Sequence, residues 1–77
     1  MSKLIGIDEY CVYWKDNDGK EQYVMSTGRE VTAVINEVIE YVRNNLYMDN
    51  FKIVEVEQWI DRKWVNLNIK EIQCKGR

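Results

Sequence analysis

Residues 27–46 read TGREVTAVINEVIEYVRNNL, and this stretch decides the fold. Val31, Val34, Ile35, Val38, Ile39, Tyr41, Val42 and Leu46 recur at helical spacing and fall on one face. Thr32, Asn36, Glu37, Glu40, Arg43 and Asn44 fall on the other. Thr27 followed three residues later by Glu30 has the form of a capping box, so the helix is expected to start at Thr27. Asn44, Asn45, Asp49 and Asn50 mark its end and the loop beyond it. Most of the apolar stripe is β-branched, which lowers intrinsic helix propensity. Such a helix depends on burying its stripe against something else.

The segments on either side supply that surface. Residues 9–15 (EYCVYWK) are aromatic and β-branched and read as a strand. Asp16-Asn17-Asp18-Gly19-Lys20 is the strongest turn signal in the chain, and residues 21–26 (EQYVMS) make the return. With Asp18-Gly19 as a two-residue turn, Trp14 faces Tyr23 and Val12 faces Met25. Tyr10, Val12, Trp14, Tyr23 and Met25 then share the larger face, expected against the helix, and Cys11, Tyr13 and Val24 the other. A three-residue loop with a bulge instead pairs Val12 with Val24.

A second hairpin follows the helix. Residues 51–60 (FKIVEVEQWI) form a strand, Asp61-Arg62 or Arg62-Lys63 the turn, and residues 64–69 (WVNLNI) the return. A two-residue loop at Asp61-Arg62 pairs Val56 with Leu67 and Val54 with Ile69 on an inner face, with Val65 beside them. Phe51, Ile53, Glu55, Glu57, Trp59, Trp64, Asn66 and Asn68 lie on the outer face, with Trp59 opposite Trp64.

The expected architecture is α+β, in the order β-β-α-β-β. Two antiparallel hairpins form one four-stranded sheet with the single amphipathic helix packed on one face. The chain divides into a lead-in (1–8), hairpin (9–26), helix (27–46), hairpin (51–69) and tail (70–77), all one domain. Leu4, Ile5 and Ile7 of the lead-in are apolar enough to pack along a sheet edge, and the tail is expected to extend the last strand through Ile72 and then fray. At 77 residues the core is small, and self-association would add stability.

Composition narrows the function. There is no histidine, which removes the commonest general base and metal ligand. Cys11 and Cys74 match no metal spacing and are expected to be reduced thiols. Asp16-Asn17-Asp18-Gly19 resembles the start of a calcium loop, but counting back from Gly19 places Trp14 at the first ligand position. The four glycines are too scattered for a phosphate-binding loop, and Gly28 could admit an anion only at a helix start where Glu30 already acts. Glu55 and Glu57 share a strand face without a cleft, so paired-carboxylate catalysis is not expected. Residues 7–60 carry 11 acidic and 5 basic side chains, an unfavourable balance for nucleic acid, and residues 61–77 are weakly basic. The first residues do not read as a secretory signal, no apolar run approaches a membrane span, and a cytoplasmic address is expected.

What remains is the sheet face away from the helix. Its candidate interaction surface is Trp59, Trp64, Tyr13, Phe51, Glu55 and Glu57. The leading expectation is a small non-enzymatic protein-interaction module with no cofactor, metal or membrane, pairing with a protein partner or with itself as a homodimer through the open sheet face. The residue usage, rich in Lys, Glu, Asn, Ile and Tyr with one alanine and no proline, fits an AT-rich coding sequence and an accessory protein of a phage or mobile element acting on a host protein. The alternative is binding of single-stranded nucleic acid or a nucleotide on the same aromatic face.

Overall fold

In a computed structural model that describes residues 7–75, the chain forms β1 (Asp8–Lys15), β2 (Glu21–Gly28), α1 (Val31–Asn45), β3 (Phe51–Ile60), β4 (Lys63–Asn66) and β5 (Ile72–Cys74). The strands make one antiparallel sheet in the order β2-β1-β3-β4, with β5 also paired to β3. One helix packed on one sheet is the α+β architecture expected. The helix lies over β1 and β2. Leu67, Ile69, Ile72 and Met48 pack against the same core from outside the helix. Leu4 and Ile5 lie outside the described residues, and Ile7 is exposed.

The first hairpin takes the three-residue loop. Gly19 N–H donates to Asp16 O (3.0 Å), Asp16 N–H donates to Lys20 O (3.1 Å), and Gly19 adopts φ +81°. Asp16 Oδ1 accepts from the backbone N–H groups of both Asp18 and Lys20 at 2.9 Å. This is a type I turn closed by a left-handed glycine, which favours an aspartate at its first position. The pairing therefore moves by one residue from the two-residue-turn reading: Val12 faces Val24, Tyr13 faces Tyr23 and Trp14 faces Gln22. Tyr10, Val12 and Trp14 are buried under the helix as expected, but Tyr23 and Met25 swing to the opposite face and Val24 takes their place.

The helix start also differs. Thr27 pairs with Glu9 inside β2, and the residue preceding the helix is Glu30, with extended backbone and no side-chain cap. Thr27 and Glu30 thus form no capping box, because the strand ladder claims Thr27 first. Gly28 is the last residue of β2, where a Cβ would lie 2.6 Å from Val34 Cγ2. It lets the strand pass beneath the first helical turn. Val34, Ile35, Val38 and Val42 are buried, whereas Tyr41 and Leu46 at the margins of the predicted stripe are exposed.

Two irregularities shape the second hairpin. Between β1 and β3 the register slips at Val54: Tyr13 faces Glu55 but Trp14 faces Ile53. One extra residue in a strand reverses the facing of everything beyond it. Phe51 and Ile53 accordingly enter the core, Phe51 meeting Trp14 edge-on at 5.7 Å and 72°. Past Asn66 the return strand breaks. Leu67 still donates its N–H to Val56 O (2.9 Å), but Asn68 has φ +55° and its backbone N–H donates to the side-chain Oδ1 of Asn66 at 2.7 Å. Pairing resumes two residues out of phase, with Ile72 opposite Ile53 and Cys74 opposite Phe51. The expected partnership of Val54 with Ile69 does not form, and the tail is a fifth strand ending in the buried Cys74.

Candidate interaction face

The side of the sheet opposite α1 is built from alternate residues of four strands. Tyr23 and Met25 come from β2, Cys11 and Tyr13 from β1, Glu55, Glu57 and Trp59 from β3, and Trp64 and Asn66 from β4. At the β3–β4 end, Asp61 (φ +51°) and Arg62 (φ +67°) form a two-residue turn, the first of the two placements read from the sequence. That turn makes Ile60 and Lys63 the bonded pair and Trp59 and Trp64 the next, non-bonded pair, in which side chains lie closest. The two indoles meet edge to face, centroids 5.1 Å apart at 65°. Trp59 remains 40% exposed, and Trp64 is half-buried.

The middle of the face is polar and internally satisfied. Tyr13 Oη donates to Glu57 Oε1 (2.9 Å), and Asn66 Nδ2 donates to Glu55 Oε2 (3.0 Å). The Cys11 sulfur also hydrogen-bonds the Tyr13 hydroxyl; that contact, the Glu57 carboxylate and burial together push the phenol well above its ordinary value. Burial pushes the Cys11 thiol up, against a smaller lowering by Tyr13, with Glu57 and Glu55 raising it further. A thiol held protonated beside two carboxylates is a poor nucleophile. The beginning of β2 completes the face with the exposed Tyr23 and Met25, Tyr23 tilted against Tyr13 at 6.1 Å.

The structure thus brings together Tyr13, Glu55, Glu57, Trp59 and Trp64. It removes Phe51, which is 5% exposed and part of the core. Sequence reasoning missed Tyr23 and Met25; the signal for them was Asp16, whose side chain favours the three-residue turn. Two open concavities lie elsewhere. One, of about 270 Å³, sits at the sheet end between Lys15, Lys52, Gln73 and Lys75. The other, of about 350 Å³, runs between β2 and α1 and is bordered by Val24, Met25, Ser26, Glu37, Val38 and Tyr41. Among the described residues no group of three or more His, Cys, Asp or Glu could hold a metal, and no helix is long and apolar enough to cross a membrane. No protein-family model, curated protein or solved structure matches the chain.

Proposed function

We propose that this chain is a small non-enzymatic protein-interaction module that docks a protein on the uncovered face of its sheet. The observation that carries this reading is the Trp59–Trp64 pair, Trp59 exposed and Trp64 half-buried, with Tyr23 and Met25 on the same face and, among the described residues, no helix above them. Large aromatics and methionine at a partly exposed surface are the residues that interfaces enrich. Glu55 and Glu57, at the centre of the face, disfavour a phosphate backbone and suit a partner that brings neutral or basic donors.

The test compares proteins retained by the wild-type chain with those retained by a Trp59→Ala, Trp64→Ala double variant, followed by titration of a retained protein against purified chain. Binding is expected to shift tryptophan emission to the blue and to weaken on the double substitution by roughly 30-fold or more, the scale of a hot-spot loss of about 2 kcal/mol. Equal affinity of both chains, or no retained protein, would overturn the proposal. Quenching by single-stranded oligonucleotides that fades with added salt would replace it with the nucleic-acid reading.

A further inference from the structure

The outer margin of β2 carries a separate feature. Among the described residues no strand pairs with that margin. Sheet edges are ordinarily blunted by proline, bulges, short length or charges. β2 has none of these: it runs eight residues in unbroken register with β1, contains no proline, and carries one charge, Glu21.

The hairpin fixes which backbone groups are free. Asp16 and Lys20 bond toward each other, so the alternation of an antiparallel ladder turns Gln22, Val24 and Ser26 toward β1. The N–H and C=O groups of Glu21, Tyr23, Met25 and Thr27 then point outward. Tyr23 and Met25 are 63% and 55% exposed on the open face. On the helix side, Val24 borders the groove shared with Val38 and Tyr41.

We propose that two copies of this chain pair antiparallel through their β2 edges, with the two-fold axis at Val24, joining their sheets into one. This register uses all four outward-facing residues: Tyr23 meets Met25 of the second copy, and Glu21 meets Thr27. A shift of one residue sets outward groups against inward ones, and a shift of two leaves Thr27 or Glu21 without a strand partner. Charge also agrees. The antiparallel arrangement sets Glu21 of one copy diagonal to Arg29 of the other and Lys20 diagonal to Glu30, opposite signs on long side chains, and within the paired strands Glu21–Gly28 it sets no like charges directly opposite. On one face tyrosine packs on methionine, and on the other the two valines meet between the grooves that hold Tyr41.

Tyr23 and Met25 also lie on the docking face, so the tryptophan variant and the backbone variant of the edge separate the two proposals. Sedimentation of the full chain is expected to give a dimer, with the Tyr23 and Met25 amides slow in hydrogen exchange although both point away from β1. Met25→Pro removes only an outward N–H and is expected to give a folded monomer. Tyr23→Lys, which leaves the backbone intact, is expected to weaken the dimer at least about tenfold by setting a charge on the edge. The Trp59→Ala, Trp64→Ala variant is expected to stay dimeric. A monomeric wild type, freely exchanging Tyr23 and Met25 amides, or a dimer that the tryptophan substitutions dissociate and Tyr23→Lys does not, would overturn the edge pairing.

Discussion

Replacing Phe51 with alanine is expected to cost about 3–5 kcal/mol, the range for a buried phenylalanine. The ring is 5% exposed and stands edge-on to Trp14, itself 1% exposed. A fully buried aromatic removes about 150–250 Å² from water. At about 25 cal/mol per Å² this is roughly 4–6 kcal/mol, of which alanine retains a part. A domain of 77 residues has a total stability of about 4–12 kcal/mol, so the loss takes a large share of it. Trp59, at 40% exposure, is expected to cost far less on the same truncation, about 1 kcal/mol. Urea denaturation followed by circular dichroism measures both. With a slope near the lower limit of about 1 kcal/mol/M for a small chain, Phe51→Ala moves the midpoint down by about 3 M or leaves the chain unfolded. Phe51→Lys is expected to be worse, since it buries a charge. If Phe51→Ala or Phe51→Lys were as mild as Trp59→Ala, the bulge at Val54 would be misplaced and Phe51 would belong on the outer face.

Gly28→Ala is expected to destabilise by about 1–3 kcal/mol, because the new methyl meets Val34 Cγ2 at 2.6 Å. Val34→Ala in the same chain should recover part of that loss, read as positive coupling in a double-mutant cycle. Arg62→Gly is expected to raise the urea midpoint by an amount equivalent to about 1 kcal/mol, since Arg62 holds φ +67° in a turn that favours glycine there. Stability is expected to fall as pH rises past about 10: the folded state holds the Tyr13 phenol above its ordinary value of 10.0, so the unfolded chain ionises first. The contribution is fully present below that pH and is lost above it, and Tyr13→Phe should flatten that part of a stability-against-pH curve.

The helix was legible because its stripe repeats over four turns and no strand period competes with it. The second turn was legible to within one residue: Asp61-Arg62 and Arg62-Lys63 both lie between the two runs, and the alternation on both sides agrees with the first. The bulge was not. Ile53 and Val54 are adjacent, both apolar and both β-branched, so either can face inward, and only the partner strand decides. Phe51 was therefore assigned to the wrong side by a single residue of slip. The capping box failed for another reason. Local signals treat Thr27 as free, but an eight-residue β1 needs an eight-residue partner, and pairing with Glu9 outweighs a cap.

These misreadings bear directly on the candidate surface, because each one exchanges residues between the two sheet faces. The one-residue shift in the first hairpin brings Tyr23 and Met25 out, and the bulge in the second takes Phe51 in. The open face consequently has two apolar ends, Trp59 with Trp64 and Tyr23 with Met25, separated by the hydrogen-bonded centre of Tyr13, Glu55, Glu57 and Asn66. The tryptophan end is a side-chain surface whose backbone is already paired. The β2 end joins exposed side chains to unpaired backbone. The first therefore suits a partner that brings its own side chains, and the second a partner that brings a strand, which is why the two ends are assigned to different occupants.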